Sequence, residues 1–195
     1  AKSLSGYEKK KLYHNEGGQL FRDEAARHGL DSLRDGRGIV VADFDNDGRM
    51  DLFVTNANAE PYLYHNVLPT GAHWLELELE GRTSNRDAVG TKVWVTAAGP
   101  TRGDTGRRPP RMLRFVDGGN GFASQSTKRL HFGLGAAAAA ERVEVEWPSG
   151  LRQSFAGVAA DHIYRLVEGE PALAPGRAAR RAAARPASTG EGSHR

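Results

Sequence analysis

In the stretch DFDNDGRMD, residues 43–51, Asp43, Asp45 and Asp47 alternate with other residues, Gly48 interrupts the run, and Asp51 follows. Carboxylates packed so closely repel one another, and a hard cation that takes six to eight oxygen ligands offsets that repulsion. In the pattern D-x-D-x-D-G-x-x-D the three alternating side chains can turn toward one centre. Gly48 permits the sharp turn, Arg49 offers its backbone carbonyl, and Asp51 closes the shell, with water filling what remains. Ca2+ suits such an oxygen set better than Mg2+, which keeps more of its own water. An EF-hand is a poor match, because its loop needs glutamate at the twelfth position, where Val54 stands, and helices on both sides. A solvated acidic turn is the competing reading, since Asp and Asn favour tight geometry; it does not account for the fourth acid at Asp51.

The flanks of this loop read as strands. GIVVADF precedes it and DLFVTN follows, both short and rich in β-branched or aromatic residues, bounded by Gly, Asn and Asp. The tetrapeptide LYHN occurs at Leu12–Asn15 and again at Leu63–Asn66, an offset of 51 residues. A period near 50 is characteristic of propeller blades, so residues 1–70 read as one complete repeat and the opening strand of another. One repeat cannot close a propeller, and the chain begins with Ala rather than Met. The expectation is therefore a C-terminal part of a longer protein with blades upstream. Only FRDEAARHG suggests a helical turn, ending at Gly29.

After Pro69 the pattern changes. HWLELELEG sets Trp74, Leu75, Leu77 and Leu79 against Glu76, Glu78 and Glu80, a strand with one wet face. VGTKVWVTAAG, PRMLRFVDGG, KRLHFGLG, RVEVEWPSG, LRQSFAGV and HIYRLVEG follow at regular spacing. Residues 71–170 thus read as a small antiparallel sandwich or barrel-like domain, and the whole chain as all-β. From Pro171 to residue 195, Ala, Arg, Pro, Gly and Ser take over, and the expectation is a disordered tail.

Charge separates the same regions. The 195 residues carry a formal charge of +3, but residues 172–195 hold Arg177, Arg180, Arg181, Arg185 and Arg195 against Glu191, leaving 22 basic and 23 acidic residues elsewhere. Without aromatics interleaved in the tail, nucleic acid is not expected as a partner. No cysteine is present, which excludes disulfides and thiolate metal sites. No apolar run reaches the ~18 residues of a membrane span.

GIVVADFDNDGRMDLFVTN resembles an FG-GAP (VCBS-type) repeat, the calcium-loop blade of integrin α-chain propellers and bacterial surface proteins. The resemblance implies Asp43, Asp45, Asp47 and Asp51 as side-chain ligands of Ca2+ and Arg49 as a carbonyl ligand. HWLELELEGRTSNRDAVGTKVWV, GGNGFASQSTKRLHFGLG and VEVEWPSGLRQSF resemble the ASPIC/UnbV domain, which follows FG-GAP repeats in the cartilage acidic protein-like and UnbV-like family. GPTRGDTGRRPPR, residues 99–111, is longer and more basic than the usual turn there. Together the resemblances imply a calcium-binding, non-catalytic binding or scaffold module, extracellular or periplasmic, with a protein or glycan partner. UnbV-type proteins also resemble members of enediyne gene clusters, so an accessory role in natural-product biosynthesis is the alternative.

Other signals carry less. GLGAAAAA at 133–140 fits a dinucleotide fingerprint, yet the next strand begins too soon for a crossover helix. GGNGF reads as a β turn before a phosphate cradle, and Arg86 and Asp87 as a structural pair. His73 and His131 read as packing residues, and Ser124, His131 and Asp117 lack a nucleophile elbow. The RGD tripeptide at 102–104 is too short to assign a partner.

Overall fold

A computed structural model describes residues 8–69, 71–99, 111–121 and 124–176. The RGD tripeptide, most of the basic insertion and the arginine tail from Arg177 lie outside the described residues. The described chain is all-β and divides into two compact units: Ala1–Ala42, Met50–Pro69 and Val116–Lys128 in one; Asp43–Arg49, Thr70–Phe115 and Arg129–Arg195 in the other.

In the first unit, β1 (Tyr13–Asn15) pairs antiparallel with β2 (Phe21–Asp23), and a single 3-10 turn, Ala26–His28, ends at Gly29 with φ 68°. Then β3 (Gly36–Ala42), β4 (Asp51–Asn56) and β5 (Ala59–Tyr64) form a three-stranded antiparallel sheet in that order. The two LYHN copies share a device. Asn15 Oδ1 accepts the amides of Gly17 and Gly18, and Asn66 Oδ1 accepts that of Leu68, so each asparagine closes a turn after its strand. Ser126 and Thr127, read in sequence with the second domain, serve the edge of β3 instead. Val41 N donates to Ser126 Oγ (3.1 Å), and Val41 O accepts from Thr127 N (3.3 Å). An edge strand leaves such groups unpaired unless another segment covers them.

The second unit holds two four-stranded sheets. One runs β11 (Arg152–Ala159), β10 (Ala139–Glu146), β7 (Lys92–Ala97), β8 (Arg111–Phe115), all antiparallel. The other runs β13 (Ala174–Pro175), β12 (His162–Val167), β6 (His73–Glu80), β9 (Leu130–Gly135). Alternation fills the core: Leu75 and Leu77 of β6, Phe132 and Leu134 of β9, Val93 and Val95 of β7 and Val143 and Val145 of β10 are all buried. Each contributes about 1.5–3 kcal/mol on leaving water. One pair departs from the antiparallel expectation, since β12 runs parallel to β6 with His162 opposite Leu75. Parallel neighbours need a long connection, and β7 to β11 supply it. β13 lies inside the segment assigned to the tail, where Ala174 and Pro175 pair with Arg165 and Tyr164.

GLGAAAAA holds the end of β9, a short turn and the start of β10, with no helix. The glutamate face of β6 is not wet along its length: Glu76 is fully buried.

Candidate metal centre

The ladder between β3 and β4 ends at the pair Ala42 and Asp51, and the chain between them forms the aspartate loop. Strand alternation at its entrance turns Asp43 inward (7% exposed) and Phe44 outward (51%). Asp51, the first residue of β4, is 2% exposed. Within this hairpin one carboxylate oxygen each from Asp43, Asp45 and Asp51 lies within 4.8 Å of the others. Asp47 offers an oxygen within the same distance of Asp45 but does not complete that trio, and its carboxylate is paired with the Arg49 guanidinium. Thus three of the four aspartates converge and the fourth stands at the rim.

Backbone amides orient these groups. Asp47 N and Gly48 N donate to Asp43 Oδ1 and Oδ2 (3.0 and 2.7 Å), Arg49 N donates to Asp47 Oδ1 (2.9 Å), and Asn66 N donates to Asp51 Oδ1 (2.7 Å). A carboxylate oxygen has two lone pairs, so a single amide leaves each one able to bind a cation. Burial pushes the Asp43 carboxyl above its ordinary range. The two amides oppose this, while the charges of Asp47 and Asp45 add to it. An all-oxygen donor set, crowded and partly desolvated, is the chemistry that suits a hard divalent ion.

Inside the second unit the loop lies against the outer face of β6 and β9. Glu76 Oε2 accepts from Arg129 Nη1 (2.9 Å), the same nitrogen donates to Asn46 Oδ1 (2.7 Å), and Arg129 Nη2 donates to Glu78 Oε1 (2.7 Å). His131, opposite Glu76 across the ladder, places Nε2 2.9 Å from Gly48 O. A carbonyl only accepts, so His131 carries its proton on Nε2. Burial lowers its pKa and favours the neutral ring, against the opposing effects of the Gly48 bond and Asp43. Glu76, Arg129, Asn46 and His131 are not among the site residues that the sequence pattern marks. The alternation of β6 marks Glu76 and Glu78 as equivalent, and nothing local tells which one becomes covered.

Burial raises the Glu76 pKa from 4.5 to about 7, against the charge and hydrogen bond of Arg129, with Asp43 and Glu78 adding to the rise. The folded state therefore holds this proton more tightly than the unfolded chain. The contribution of Glu76 to stability is fully present below about pH 4.5 and is lost as pH rises toward 7. In chelator, urea melts of the parent should show that decline between pH 4.5 and 7, and Glu76→Gln should flatten it. An equal slope in the variant would assign the decline to another group.

Of the remaining histidine and triad residues, His73 Nδ1 lies 2.7 Å from Asp161 Oδ2, and Asp117 Oδ1 accepts from Gly119 N in its own turn. Among the described residues no helix is long and apolar enough to cross a membrane.

Residues 3–54 match the FG-GAP-like repeat family, and residues 81–172 match the family described as ASPIC and UnbV. The chain is 31% identical to cartilage acidic protein 1 of Mus musculus over 136 residues, covering 68% of this chain and 19% of that protein. Against cartilage acidic protein 1 of Homo sapiens it is 32% identical over 118 residues, covering 59% and 16%. The chain spans less than a fifth of the length of these relatives.

Proposed function

Proceeding from a chain that carries an FG-GAP-like repeat and, after it, an ASPIC and UnbV domain, we propose that it is a calcium-binding, non-catalytic module of a secreted or cell-surface protein. The observation that carries the reading is the trio of Asp43, Asp45 and Asp51, two of them buried, with oxygens within 4.8 Å of one another. These three would hold the ion directly. Asp47 at the rim and the Arg49 carbonyl, the ligands that the sequence pattern adds, would complete the shell with water. The ion supplies positive charge to a loop that otherwise crowds carboxylates, and the chain supplies the fixed oxygens. The folded surfaces around the loop then serve as a binding face for a protein or glycan.

The first unit also offers a place for further blades of the same protein. A groove of about 640 Å3 is lined by Leu12, Leu30, Met50, Leu52, Leu63 and Leu68, and Tyr13, Leu20, Phe21 and Val67 are each more than half exposed. A repeat that cannot bury its apolar face alone buries it against the next repeat, and the 51-residue offset of LYHN supports such a neighbour.

Thermal melts in chelator and in excess Ca2+ test the metal reading. At a hundredfold excess over Kd, binding stabilises the fold by about 2.7 kcal/mol, so the parent curves should separate. They should coincide for Asp45→Ala. Coincident curves for the parent would leave a solvated acidic turn.

A further inference from the structure

The alternation that points Asp43 and Asp45 at one centre leaves Asn46 and Gly48 for a different task. Both adopt left-handed backbone, with φ 60° at Asn46 and 86° at Gly48. Both are also the points at which residues on and beside β6 and β9 grip the loop within the second unit. Asn46 Oδ1 accepts from Arg129 Nη1 (2.7 Å), and Gly48 O accepts from His131 Nε2 (2.9 Å). The third grip is steric: a Cβ on Gly48 would stand 2.0 Å from Trp74 Nε1 and 2.1 Å from Cε2, so the indole lies directly on the Gly48 backbone. Trp74 and His131 are themselves near-parallel, 11° between planes with centroids 6.5 Å apart.

We propose that Trp74, Arg129 and His131 are positioning residues for the metal loop, holding Asn46 and Gly48 so that Asp43 and Asp45 stay converged and the cation meets a ready-made site. The inference rests on the calcium reading. Like charges drive an unrestrained loop apart, and every ion that binds must then reverse that spreading. A loop clamped to a sheet has made the adjustment during folding. The clamp touches residues that are not ligands, so it can be removed without deleting a donor oxygen.

Calcium titration calorimetry on the full chain, with circular dichroism confirming the fold, tests the clamp. Asn46→Gly keeps the left-handed backbone and loses the Arg129 contact; His131→Leu loses the donor to Gly48 O; His131→Gln restores an N–H donor. Groups that hold a metal's ligands in place from behind are commonly worth tenfold or more in affinity, and the clamp fixes the residues that lie between the aspartates. Asn46→Gly and His131→Leu should therefore each weaken calcium binding about tenfold, with His131→Gln recovering most of it. A purely structural role would lower the melting temperature and leave the affinity alone. Folded Asn46→Gly and His131→Leu with affinities within about twofold of the parent overturn the clamp while the calcium reading stands, and a parent that takes up no calcium overturns both.

Discussion

Arg129→Met is expected to destabilise the second unit by about 3–5 kcal/mol, the usual cost of removing one partner from a buried ion pair. The side chain of Arg129 is 14% exposed and that of Glu76 is not exposed at all, so water cannot take over the lost contacts. The guanidinium serves Glu76, Glu78 and Asn46 together, and methionine replaces none of these bonds. Glu76 Oε1 already lacks a hydrogen-bond partner among the described residues; without Arg129 the whole carboxyl would be stranded. It would take up a proton rather than remain charged, so the penalty should shrink in acid. Adding Glu76→Leu to Arg129→Met should recover much of the loss, because an apolar pair carries no desolvated charge. Urea melts followed by tryptophan emission measure all three proteins. A loss below about 1 kcal/mol for Arg129→Met would reduce the contact to an ordinary surface bridge.

This pair also marks where the sequence stops being readable. The alternation in HWLELELE correctly separates Leu75 and Leu77 from the glutamates, because residues two apart on a strand share a face. A period of two says nothing about what covers the other face. Glu76 is buried by Arg129, 53 residues away, and by a loop some 30 residues upstream, and neither leaves a mark in its own strand. The aspartates were legible for the opposite reason. The approach of one carboxylate oxygen from each of Asp43, Asp45 and Asp51 to within 4.8 Å of the others is set by spacing within nine residues and by one glycine, which is local geometry. Asp47 shows the limit of that logic, since its neighbour Arg49 competes for it. The edge role of Ser126 and Thr127 was hidden likewise, because their partner Val41 lies 85 residues from Ser126.

The same distance hides Glu168, and Glu168→Ala should cost the second unit about 3 kcal/mol or more, as expected for a buried carboxylate that organises several donors. Glu168 follows β12 and is 3% exposed. The amides of Arg82, Thr83 and Ser84 all donate to Oε2 at 2.7–2.9 Å, and the hydroxyls of Ser84 and Ser149 donate to Oε1. One carboxylate thereby fixes the loop after β6 and the turn before β11, and alanine would leave three consecutive amides facing an empty position. Burial alone would raise the Glu168 pKa. The bonds from Ser149, Ser84 and Arg82 outweigh it and hold the value down to about 2, against 4.5 for a free side chain. A depressed folded pKa places this stability above about pH 4.5 and removes it as pH falls toward 2. Parent and Glu168→Ala should therefore differ most at neutral pH and converge near pH 2, the reverse of the dependence expected from Glu76. Glu168→Gln should fall between them, keeping an oxygen acceptor without the charge. A gap between parent and Glu168→Ala that stays constant from pH 7 to pH 2 would mean that packing, rather than the ionised carboxylate, holds the loop.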